Sequence, residues 1–223
     1  PIFELIDPRG RPFLRADSAR LGYRFRTLLA GQIVFSRLSV YGPEVIIERL
    51  PGDTAWNFEY IFPDTTPDIE EDRDLILLDR VRIEDGLFIV RTPWEPDEPV
   101  EPDDTARLIL REVPGGLVRE FRFEEVNGLF PRVLWESPLE EGKLIRIASL
   151  STRGYIWKDP FELRDLRGAV TIRDSLISFD VSRFEMPASR GSGVGRVVTH
   201  DGRTEFDVRI EGDDVAFADL QWL

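Results

Sequence analysis

Punctuation constrains this chain more than any other feature. Its 17 glycines and 16 prolines fall between short apolar runs, and no stretch keeps a helical period over three turns. Alternating runs separated at such close spacing predict an all-β fold, with room for only a few short helices.

Residues 21–62 carry the densest signal. Gly31 suits a tight turn. In the run that follows, Val34, Leu38 and Val40 face one way, and Ile33 and Phe35 the other. Pro43 has no N–H for a sheet ladder, so it belongs between strands. Val45, Ile46 and Ile47 form the next strand. Pro51-Gly52-Asp53 is turn chemistry leading to Trp56-Asn57-Phe58.

The rest reads as more strands and turns. Residues 2–6 and 14–25 are expected strands, joined by the turn Pro8-Arg9-Gly10-Arg11-Pro12. Residues 75–83 form a strand with Leu75, Leu77, Val81 and Ile83 on one face. Asp85-Gly86 predicts a hairpin turn into residues 87–91. Residues 93–105, rich in Pro and acid, predict an exposed loop in which Trp94 is the candidate partner contact. Strands follow at 107–112 and 117–124, where Phe121 and Phe123 alternate with charges. Later strands include 144–150 and 176–184, the latter placing Ile177, Phe179 and Val181 on one side. A hairpin spans residues 193–210, and 215–220 closes the series. Short helical pieces fit residues 27–30, 58–61 and 126–134. Val81-Arg82-Ile83-Glu84-Asp85 is echoed by Val170-Thr171-Ile172-Arg173-Asp174, a faint repeat of the kind that stacks into an elongated sheet.

Charge and composition narrow the function. A net charge of -13 argues against nucleic acid as a partner, since phosphate binding needs a basic footprint. With no cysteine, disulfides and thiol chemistry are excluded. The single histidine, His200, sits beside Asp201-Gly202, where a turn accounts for it. Gly191-Ser192-Gly193-Val194-Gly195 runs on into strand-forming residues instead of a helix, unlike a phosphate loop, and reads as a flexible turn or bulge. The acidic clusters at 68–74 and 95–104 lack the spacing of a calcium loop. No catalytic residue, metal or cofactor is expected.

The order strand, Pro43, strand, turn, Trp56-Asn57-Phe58 resembles the N-terminal region of the AsmA/TamB group of envelope proteins. Ile33, Phe35, Leu38, Val40, Pro43, Val45, Ile47, Trp56, Asn57 and Phe58 carry the resemblance, with a weaker echo over residues 208–223. It implies an elongated, twisted antiparallel sheet forming an open, taco-like groove, with residues 1–223 as one all-β domain and a piece of a longer groove. It also implies a non-enzymatic periplasmic protein, tethered to the inner membrane by a segment not present in this chain. Such a protein conducts phospholipid acyl chains toward the outer membrane, or assists an outer-membrane or inner-membrane assembly protein. Val34, Leu38, Val40, Leu75, Leu77, Val81 and Ile83 are then the expected lining, extended by Phe121, Phe123, Ile177, Phe179 and Val181. The alternative is a β-sandwich scaffold subunit that docks on a larger membrane assembly, its apolar faces closed against each other.

Overall fold

The computed structural model describes residues 3–23, 33–61, 76–95, 102–136, 142–173, 176–200 and 203–220. Among them fifteen strands form one open sheet. Two short helices, α1 (Asn57–Ile61) and α2 (Pro102–Arg107), and a 3-10 turn at Phe217–Leu220 accompany it.

The spine is an antiparallel pair of long strands, β6 (Ile76–Pro93) and β8 (Gly116–Glu136). Along the free side of β6 run β4 (Ile33–Tyr41) and β5 (Glu44–Glu48), one after the other and both parallel to it. The register never slips: Ile33 meets Ile76 and Glu48 meets Arg91, so each partner lies 43 residues further along. A parallel pair needs a crossover, and residues between β5 and β6 supply it. The expected purely antiparallel sheet is therefore a mixed one.

On the N-terminal side, β1 (Phe3–Ile6) and β2 (Pro12–Ala16) form a hairpin that adds to β5, while β3 (Ser18–Tyr23) adds to β4. The free side of β8 takes β7 (Leu110–Val113), β10 (Ser149–Tyr155) and β9 (Lys143–Ile147) in turn. β11 (Phe161–Leu163) pairs with β10. From β9 a meander of β12 (Asp165–Arg173), β13 (Leu176–Glu185), β14 (Arg190–His200) and β15 (Arg203–Asp214) runs to the far edge.

Four expectations are corrected. Asp85-Gly86 is no hairpin turn. Asp85, at φ 54°, is a bulge inside the continuous strand β6, and its N–H donates to Asn127 Oδ1 at 3.1 Å. Residues 14–23 are broken at Asp17, whose N–H donates to Tyr41 O at 3.2 Å. Residues 126–134 are extended within β8, and residues 217–220 are a 3-10 turn where a last strand was expected. The turn is pinned by Asp219, whose Oδ2 accepts from the Ala188 N–H at 2.8 Å. The helix expected at 58–61 is present as α1, whereas 27–30 lies outside the described residues. Of the expected loop at 93–105, Pro93 ends β6 and Pro102 begins α2.

The breaks line up across the sheet. Asp17, Gly42-Pro43, Asp85-Gly86 and Glu125 (φ 52°) lie side by side, joined by Gly42 N to Glu84 O at 2.9 Å and Leu87 N to Pro43 O at 2.7 Å. Gly42, at φ 57°, stands where a Cβ would run into the Asp17 carboxylate. Bulges raise local twist and bend a strand, so this alignment acts as a crease across five strands.

Candidate functional site

Directly paired residues point to the same side of a sheet, so the register assigns every side chain to a face. One row crosses seven strands: Leu5, Leu14, Val45, Phe88, Phe123, Gly154 and Phe161. Every member is apolar. Phe123 and Phe161 meet edge to face at 6.3 Å over Gly154, where any Cβ would overlap the Phe161 ring. Gly128 admits the Phe130 ring on the same face. Alternation along β8 and β10 places Val34, Leu77 and Leu134, which form a second row, on this Phe123 face. The members of the seven-strand row for which side chains project are half-buried.

The opposite face of the same strands carries an ionic ladder beside the buried apolar pair Ile46 and Ile89. Glu48, Arg91 and Glu120 are direct neighbours across β5, β6 and β8. Arg91 Nη1 lies 3.1 Å from Glu48 Oε2, and its Nε 2.9 Å from Glu120 Oε2, which Arg111 Nε also reaches at 2.6 Å. Glu48 Oε1 is 3.9 Å from Arg11, which pairs with Asp7 at 2.7 Å and Asp53 at 2.6 Å. Glu120 is fully buried. Burial alone would lower the Arg91 pKa, but hydrogen bonds to Glu120 and Glu48 raise it instead. Asp7 and Asp53 lie in the opposite sense. Burial would raise both, yet Arg11 holds them below the usual carboxylate range, by backbone and side-chain hydrogen bonds at Asp7 and chiefly by its side chain at Asp53. A one-residue slip of β6 would set Arg91 beside Ile47 and Phe121 or beside Arg49 and Arg119, so the ladder discriminates against wrong registers.

Asn57 ties the crossover to this end. Its Nδ2 donates to Ile46 O at 2.7 Å and its Oδ1 accepts from Glu48 N–H at 3.0 Å. The side-chain amide thus stands in for a neighbouring strand along the open edge of β5, and it is fully buried.

The expected lining residues divide. Val34 pairs with Leu77, Leu38 with Val81 and Val40 with Ile83, and these six share the Phe123 face with Phe121 and Phe123. Ile177, Phe179 and Val181 lie on the other face. Phe179 belongs to a row of Phe35, Leu78, Val133, Ile145, Val170, Gly195 and Val208. The row of Leu77 continues instead through Leu134 and Leu144 to Thr171, Ser178, Arg196 and Asp207. The Phe123 side of this row therefore turns polar from β12 onward, while the Phe179 row stays apolar from β4 to β15. Leu75 lies outside the described residues. Trp94 is half-buried, with its backbone N–H on Leu117 O at 2.9 Å; Trp135, 47% exposed under Lys143, is the more open tryptophan. Gly191 and Gly195 lie within β14 under the rings of Phe184 and Phe179, and the register shifts at Arg190/Gly191.

Sequence reasoning passed over Phe88, Phe130, Leu150 and Phe161 as lining. Phe88 and Phe130 follow an apolar neighbour, whereas Leu150 stands between two serines and Phe161 between Pro160 and Glu162; only long-range pairing reveals which face each joins. Comparison of the chain with protein-family models, with curated proteins and with solved structures returns no match.

Proposed function

We propose that this chain is a non-enzymatic module that carries phospholipid acyl chains along its Phe123 face, in the periplasm, as its AsmA/TamB resemblance implies. One observation supports the reading most. An apolar row crosses seven strands, yet its large side chains stay half-buried, and among the described residues no second sheet packs upon them. A closed core buries such residues almost completely, whereas a lipid path must leave them open to an apolar guest. The sheet hydrogen bonds keep backbone polar groups paired, so the guest meets side chains only. The reading needs no nucleophile, metal or cofactor.

A second reading, docking on a larger membrane assembly, draws support from the far edge. Phe206, Val208 and Ile210 of β15 are 71%, 48% and 53% exposed. Photo-crosslinking separates the two. A photoreactive residue at position 123 is expected to give phospholipid adducts in envelope extracts, and one at position 208 none. Protein adducts at 208 without lipid adducts at 123 would favour docking and sink the lipid path.

A further inference from the structure

Arg119 alternates with Phe121 and Phe123 along β8 and so shares their face. Its guanidinium carbon lies 4.6 Å from the Phe121 ring centroid and 4.6 Å from that of Trp157. Its Nε is buried and has no hydrogen-bond partner. Arg11, Arg91, Arg164 and Arg183 each meet a carboxylate, and each is held above the usual arginine pKa. Arg119 shifts the other way, lowered by burial with no carboxylate to oppose it. The chain holds 42 acidic residues against 29 basic ones, and among the described residues no carboxylate is paired with Arg119.

We infer that Arg119, clamped by Trp157 at the end of the Phe123 face, binds the phosphate-type oxyanion of an amphiphile's head group; this rests on the acyl-chain reading above. A partly desolvated cation needs an anionic partner, and where the fold supplies none a ligand can. A guanidinium offers parallel N–H donors that match phosphate oxygens. The two flanking rings fix its plane without consuming those donors. Arg107 stacks on Trp157 from 5.1 Å. The apolar neighbours then set the ligand class, because Phe121, Phe123 and Phe161 continue from the cation as an aromatic track for the chain of the same molecule.

The test titrates wild type, Arg119→Gln and Arg119→Lys calorimetrically with monododecyl phosphate, dodecyl maltoside and inorganic phosphate, each below any micelle-forming concentration. Wild type is expected to bind the alkyl phosphate on the order of tenfold more tightly than the maltoside, as a charge-assisted hydrogen bond allows. Arg119→Gln should erase that preference and leave maltoside binding unchanged, while Arg119→Lys keeps part of it. The lysine variant also carries the test if the glutamine variant fails to fold. Equal affinity of wild type for both amphiphiles overturns the Arg119 assignment but leaves the acyl-chain path standing. No binding of either amphiphile overturns both. Inorganic phosphate binding as tightly as the alkyl phosphate, and lost in Arg119→Gln, overturns the head-group assignment in favour of a free oxyanion.

Discussion

At the scale of single residues, the ionic ladder makes stability depend on acid. Asp7 and Asp53 titrate below their ordinary value of 3.8 in the folded chain, so folding is linked to their deprotonation. The contribution is complete above the unfolded pKa and disappears as pH falls through the depressed folded value. From these two groups, unfolding free energy should stay level from about pH 7 to about pH 5 and decline below about pH 4. Asp7→Asn should flatten that decline in denaturant titrations, and an unchanged acid slope would mean that the Arg11 contacts do not set it. The ladder was only half legible. Alternation of Phe121 and Phe123 with charge reads as one wet face, but Glu120 on that face is fully buried because Arg91 and Arg111 converge on it.

At the scale of elements, local signals fixed strand existence better than strand partners. Asp85-Gly86 favours a left-handed residue, and a tight turn and a bulge both use one. What decides between them is β8, long enough to pair with β6 on both sides of the bulge. Parallel partners 43 residues apart leave no neighbouring signature at all. The motif Trp56-Asn57-Phe58 was visible, whereas the reason for its asparagine was not, because it depends on where the edge of β5 comes to lie. Asn57→Ala leaves the Ile46 carbonyl and the Glu48 N–H unpaired beside a buried cavity. The expected cost is about 3 kcal/mol, a fall in Tm of roughly 6–12 °C for a domain of this size. Asn57→Asp should be comparably damaging, since a carboxylate cannot donate to Ile46 O. A variant that melts within a degree of wild type would show that water replaces both bonds.

At the scale of the whole molecule, one sheet presents two apolar surfaces on opposite sides, and alternation could not reveal this. Within each strand the described members of each expected lining set share a side, but bulges and register decide how one strand's face joins the next. The consequence is a test that separates an open path from a sealed core. Leu77 and Leu134 are direct neighbours on the Phe123 face, yet Leu77 is half-buried and Leu134 fully buried. Placing a carboxylate at Leu134 strands it without a partner and should cost several kcal/mol. At Leu77, water can still reach the new group, so Leu77→Asp should cost less than about 2 kcal/mol. If the open face is a lipid path, Leu77→Asp should also abolish the phospholipid adduct formed at position 123 while the protein remains folded by thermal unfolding. Equal, severe destabilisation by both substitutions would mean that the face is a closed core, because only there does a neighbour's exposure cease to matter.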